Sequence, residues 1–153
     1  MSEPVEKRFD PRMHSAEHIL NQTMIRLLGT GRCFSAHIEK KKSKVDYHFA
    51  RALTDEEVRK IEKRVNEVIE ARMPVREEYI DRGPAVSRYN LERLPTDAGE
   101  RIRIVHIGDY DACPCIGPHV ASTEEIGAFR VISASFEDGV LRIRYKLARP
   151  DKP

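Results

Sequence analysis

The stretch Asp111-Ala112-Cys113-Pro114-Cys115-Ile116-Gly117-Pro118-His119-Val120 decides how the rest of the chain is read. Cys115 and His119 form a Cys-x-x-x-His pair, a soft thiolate with an imidazole, which is the donor set zinc prefers. Near the other end of the chain, His14-Ser15-Ala16-Glu17-His18 supplies a His-x-x-x-His pair. Each pair alone is a weak signal. Together they predict a fold that brings residues about a hundred positions apart around one metal ion, with His14, His18, Cys115 and His119 as ligands. Cys113 is a second candidate thiolate, less well spaced from His119 than Cys115 is. The bland alternatives are polar residues at a core margin for the histidines and a small buried apolar residue for Cys115.

The first pair belongs to a helix. Asp10 and Pro11 read as N-cap and first helical position, and Gly29 stops the helix after Leu28. Leu20, Met24, Leu27 and Leu28 form its apolar stripe. His14 and His18, i and i+4, lie on one column beside that stripe, so the imidazoles are expected half-sheltered at the rim of the core.

Two strands follow, over residues 33–40 and 45–50, with Lys40, Lys41, Lys42 and Lys44 at their turn. That cluster is either a solvated hairpin tip or a local patch for nucleic-acid phosphates. Thr54-Asp55-Glu56-Glu57 is a capping box opening a helix to about Met73, with Val58, Ile61, Val65, Val68 and Ile69 on one face, ended by Pro74. Residues 75–80 and 101–107 read as strands, and residues 81–100 as irregular with a short helix over 84–90. Ser122 caps a short turn closed by Gly127, and 128–136 with 140–147 make a hairpin. Cys33, His48 and His106 fall in strand patterns and read as packing residues. The fold class is therefore α+β, a mostly antiparallel sheet with packed helices. Residues 1–10 are expected to be a flexible arm, 11–149 a single domain, and 150–153 a tail.

Composition sets outer bounds. The chain has 153 residues, 40% hydrophobic and 34% charged, enough for one domain with a sizeable core. No apolar run reaches membrane-spanning length, and the charged N-terminus lacks a signal-peptide core. Three cysteines, an odd number without secretory context, point to a reducing, cytoplasmic setting and to metal or catalytic use. A net charge of +2 gives no global electrostatic grip on nucleic acid and leaves only a local one.

One rival motif fits the first pair. His14-x-x-Glu17-His18 matches the inverted zinc-peptidase signature, in which the glutamate activates water and a further glutamate, such as Glu62 or Glu67, completes the site. It leaves Cys115 and His119 unexplained.

His-Ser-Ala-x-His early, Asp-x-x-Pro-Cys-x-Gly-x-His-Val late, then Ser-Thr-Glu-Glu-Ile-Gly and a terminal hairpin resemble the editing domain shared by alanyl-tRNA and threonyl-tRNA synthetases. The free-standing form of that domain is the AlaX family of trans-editing proteins, and the absence of an amino-terminal extension suggests its short type. The resemblance runs from about Arg12 to Leu147. It implies hydrolysis of the ester of mischarged aminoacyl-tRNA, with Ser-tRNA-Ala or Ser-tRNA-Thr as substrate and one zinc held by His14, His18, Cys115 and His119. It places Ser35 and His37 in the segment that lines the amino-acid pocket. Glu17 and Asp111 stand close to the motifs as candidate proton carriers. Gly117-Pro118-His119-Val120 is nearer the threonyl pattern than the alanyl Cys-Gly-Gly-Thr-His. Three ligands and an open position suit catalysis, whereas four require expansion or displacement. A zinc hydrolase of another small ester or peptide, and a non-catalytic tRNA-binding module, are the alternative functions.

Overall fold

The computed structural model describes residues 9–89, 91 and 99–148. Of the expected arm only Phe9 and Asp10 are among them, and the expected tail, 150–153, lies outside them. Helix α1 spans Pro11–Leu28. The Asp10 carboxylate accepts from the N–H groups of Arg12 and Met13 at 3.0 and 3.1 Å, and Gly29 ends the helix at φ 70. These caps satisfy backbone groups a bare helix end leaves unpaired, and the left-handed stop suits glycine.

After α1 come β1 (Ser35–His37), β2 (Ser43–His48), α2 (Asp55–Glu70), β3 (Val75–Asp81), α3 (Arg82–Arg88), β4 (Arg101–Ile107), β5 (Asp111–Pro114), a 3-10 turn (Thr123–Glu125), β6 (Phe129–Glu137) and β7 (Val140–Leu147). The strands form two sheets, β1-β2-β7-β6 and β3-β4-β5, with every neighbouring pair antiparallel. The molecule is thus α+β, as its pattern of elements predicts.

The β6–β7 hairpin turns over Asp138 and Gly139, both at positive φ (50 and 79), the pair of conformations a tight two-residue turn demands. Helix α2 is shorter than its pattern predicts, ending at Glu70 because Arg72 adopts φ 55. Its N-terminal capping box is as expected, with Glu57 N–H to Thr54 Oγ1 at 3.1 Å and Thr54 N–H to Glu57 Oε1 at 2.9 Å.

Period-two alternation decides which side of the larger sheet is covered. Val45 and Tyr47 of β2 and Leu141, Ile143 and Tyr145 of β7 are buried, and this face takes the helices. Tyr47 donates to Asn21 Oδ1 at 2.7 Å and Tyr145 to the Met13 carbonyl at 2.9 Å, which ties α1 to the sheet. Helix α2 adds Ile61, Val65, Val68 and Ile69, each worth about 1.5–3 kcal/mol when buried. Asn66 completes the edge of β6, donating to the Phe129 carbonyl and accepting its N–H at 2.9 and 2.8 Å. A smaller cluster, Ala85 with Ile102 and Ile104, seats α3 on the second sheet. Helix α1 is therefore enclosed on most sides, and residues 13–21 are all buried.

Candidate metal centre

His14 and His18 stand one turn apart on α1, with ring centroids 5.0 Å apart. The second pair arrives from the β4–β5 hairpin. Just past β5, Cys115 N–H donates to the Arg103 carbonyl at 3.1 Å. The Arg103 guanidinium in turn holds the carbonyls of Cys115 and Gly117 at 3.2 and 2.7 Å. This bracing fixes the loop that carries His119. The His119 ring stacks on His14 with centroids 4.2 Å apart and meets His18 edge-on at 4.5 Å.

The four side chains each offer one ligand atom, and these atoms lie within 4.8 Å of one another. Cys115 Sγ is 3.3 Å from His14 Nε2 and 3.5 Å from His119 Nε2. A tetrahedral ion with ordinary Zn–S and Zn–N lengths sets sulfur and nitrogen about 3.5 Å apart, so the donors fit zinc in kind and spacing.

The surroundings aim the rings. His14 Nδ1 lies 3.1 Å from the Pro118 carbonyl and His119 Nδ1 2.9 Å from Ser15 Oγ. His18 Nδ1 lies 3.6 Å from Asp111 Oδ2, just beyond hydrogen-bond length, and is a buried nitrogen otherwise without a hydrogen-bond partner among the described residues. Outer partners on Nδ1 of His14 and His119 leave Nε2 facing inward, the arrangement metal-binding histidines characteristically have. Asp111 is itself fixed, by Gln22 at 2.9 Å and by both Nη atoms of Arg32 at 2.8 and 3.2 Å.

Without an ion the cluster polarises itself. Burial raises the Cys115 thiol, but the charge on His18 and hydrogen bonds with His119 and His14 outweigh it and bring it down to about 3. Burial opposes charge on His18 too, yet the neighbouring Cys113 and Cys115 with Asp111 raise it well above the ordinary imidazole value. Burial, with His18 nearby, lowers His119 to about 3. Asp111 is buried, which opposes its charge, but His18 and Arg32 hold it below the usual carboxylate range. Thiolate and neutral imidazole at Cys115 and His119 suit a soft divalent ion, whereas His18 gives up its proton when an ion binds.

The remaining expected residues fall in different places. His14 and His18 are each 3% exposed, so they sit inside the core and not half-sheltered at its rim. Enclosure of α1 from several sides, which its own stripe does not reveal, is the reason. Glu17 is buried; its Oε1 is 3.7 Å from His14 Nε2, and its Oε2 accepts from Asn21 at 3.0 Å and from the Cys33 thiol at 3.2 Å. Glu62 accepts from Val131 N–H and Glu67 faces Arg64, so neither joins the cluster as a zinc peptidase would require. Cys113 is half-buried on β5 and outside the group of four. Ser35 and His37 are exposed, and their register beside Asp46 and Lys44 puts them on the sheet face opposite α1. The residue of that segment that reaches α1 is Cys33. Lys40, Lys41 and Lys42 are exposed at the β1–β2 tip, and Lys44 is half-buried at the start of β2.

Sequence reasoning missed Ser15, Arg32 and Asn21. Ser15 had a usable signal, its place inside the His-Ser-Ala-x-His motif. Arg32 had none, because its partner Asp111 is distant in sequence.

Two antiparallel sheets, a central helix and a buried cluster drawn from both ends of the chain make up the domain, and its sequence is similar to part of certain aminoacyl-tRNA synthetases. Residues 102–144, from β4 into β7 and including Cys115 and His119, match the threonyl and alanyl tRNA synthetase second additional domain. The chain is similar to the alanine–tRNA ligase of Aeropyrum pernix, 35% identical over 92% of this chain and 16% of the relative. It is similar also to those of Methanopyrus kandleri, 33% over 88% of this chain and 15% of the relative, and Hyperthermus butylicus, 38% over 86% and 15%. Over most of its length the chain is thus similar to one part of the alanine–tRNA ligases, in keeping with its motifs. It spans about one sixth of the length of these curated relatives. No helix among the described residues is long and apolar enough to cross a membrane.

Proposed function

We propose that this protein is a trans-editing deacylase of the AlaX type, hydrolysing the ester that joins a wrong amino acid to the terminal ribose of tRNA. The substrate is serine mischarged on tRNA for alanine or for threonine, the partner is aminoacylated tRNA, and the setting is the cytoplasm. The observation that carries this reading is the convergence of His14, His18, Cys115 and His119 in an editing-like domain.

In this reading those four residues hold one zinc ion. When bound, zinc supplies Lewis-acid polarisation to a carbonyl or grips the substrate amino group. The chain's own residues do the rest. Pro118 and Ser15 keep the His14 and His119 rings turned inward. Asp111, fixed by Arg32 and Gln22, orients His18. Glu17, whose Oε1 lies 3.7 Å from His14 Nε2, takes a proton from the attacking water and returns it to the departing ribose oxygen. Burial excludes bulk water and strengthens each of these interactions. Lys40, Lys41, Lys42 and Lys44 offer cations for tRNA phosphates, and Ser35 and His37 stand on β1, the strand that leads into that tip. Serine is distinguished from the correct amino acid by pocket size and by a hydrogen bond to its hydroxyl.

Cys115→Ala tests the reading. Its metal content and its deacylation of serine-charged tRNA are expected to fall together. Full deacylation with unchanged metal content would overturn the assignment.

A further inference from the structure

The larger sheet has a second face that the metal centre and its helices leave open. Cross-strand pairing fixes what stands on it. Lys44 of β2 is beside Arg144 of β7, which is beside Ser133 of β6. One row along, Ser35, Asp46, Arg142 and Ser135 align, and beyond Arg144, Lys146 pairs with Arg130. Alternation sends these side chains away from Tyr47, Ile143 and Tyr145, which point at α1 and α2. Lys146 and Arg130 are exposed, and Lys44, Arg142 and Arg144 are partly so.

Five cations thus share one face of a chain whose whole net charge is only +2. Its two acids do not balance them. Asp46 is engaged by Arg142 at 2.8 and 3.0 Å, and Glu137 stands at the far hairpin end. Arg142 foremost, with Lys44 and Arg144 adding, holds the Asp46 carboxyl below its ordinary value, so the field over this face is positive. The Lys40–Lys42 tip adjoins it through Lys44.

The face also carries an aromatic pair. Phe34 is 43% exposed and stacks on the His48 ring, centroids 3.9 Å apart and planes 8° from parallel. His48 is in register with Val140 and so with Glu137, at the hairpin end of the face, one row from Arg142 and two from Lys44 and Arg144. An exposed apolar ring held flat there can take an unpaired base while the phosphate backbone runs along the cations of the rest of the face.

We propose that this open face binds RNA: Lys44, Arg144, Lys146 and Arg130 contact the phosphodiester backbone, and the Phe34–His48 pair stacks an unpaired base. The proposal rests on the tRNA reading above for the identity of the RNA, and extends the grip well beyond the lysine tip.

The test measures binding of the full chain to a fluorescein-labelled RNA hairpin with a single-stranded 3′ tail, over a range of salt concentrations. Arg144→Gln with Lys146→Gln is expected to weaken binding and to lower the log–log salt slope by about 0.7–0.9 for each lost phosphate contact. Phe34→Ala is expected to weaken binding about 5- to 100-fold with the slope unchanged. Lys63→Gln, exposed on α2, is the control and changes neither. Thermal melts confirm that each variant is folded. Variants that bind with wild-type affinity and slope would overturn the proposal, as would a wild type that fails to bind the hairpin. Release of serine from charged tRNA by the wild type at high protein concentration is scored separately, so loss of the binding face and loss of the deacylase reading give different results.

Discussion

Ser15 Oγ stands 2.9 Å from His119 Nδ1 and accepts the Val120 N–H at 3.1 Å, so one hydroxyl on α1 fixes both the ring and the backbone of the distant Cys-x-x-x-His loop. The loop's position thus depends on a residue lying between the two helical histidines.

Ser15→Ala removes that hold while leaving all four candidate ligands in place. Zinc affinity, measured by competition with a chelator, is expected to fall about 10- to 100-fold. Unchanged affinity would show that the ring is oriented by packing against His14 alone.

Gly127 joins the ends of the fold. Its φ is +85, and a Cβ there would come 2.6 Å from the Ala148 carbonyl oxygen and 3.0 Å from Arg12 Nη2. Arg12 also donates to the Ile126 carbonyl at 3.0 and 2.7 Å, and to that of Ala148. Gly127→Ala is expected to destabilise the protein by at least about 1–3 kcal/mol through strained backbone, with further loss from the clash. Denaturant midpoints measure it, and an unaltered midpoint would contradict the packing described.

The Asp46–Arg142 pair predicts an acid limb. Arg142 holds the Asp46 carboxyl below its ordinary value. A folded value below the unfolded one means the pair's contribution is fully present above the unfolded value and is lost as pH falls through the folded one. Asp46→Asn is therefore expected to be less stable than wild type at pH 7, with the difference shrinking below about pH 4. A difference independent of pH would show that the pair acts by packing only.

Local signals in the sequence were reliable here because the physics behind them is local. Asp10-Pro11 and Gly29 bounded α1, the Thr54–Glu57 box opened α2, and Asp138-Gly139 turned the last hairpin, each through groups within a few residues. The four-residue cluster was legible for a different reason: its two halves are i,i+4 pairs of unusual chemistry. What pairs across the chain was hidden. Cys33 reads as an ordinary strand residue, yet its thiol donates to Glu17. Asp111 is fixed by Arg32, 79 positions away. The segment over Ser35 and His37 has no amphipathic pattern long enough to show which face it presents, and strand alternation turned both away from α1. Strand β5 is only four residues long and contains a proline, so its pairing with β4 could not be read from propensity.

The most direct measurement is release of serine from serine-charged tRNA-Ala and serine-charged tRNA-Thr by the purified protein, before and after chelator treatment, with alanine- and threonine-charged tRNA as controls. The account predicts rapid release from a mischarged tRNA, sparing of its correctly charged form, loss on chelation and recovery with zinc. Absence of release from every one of these substrates, with zinc supplied, would contradict it.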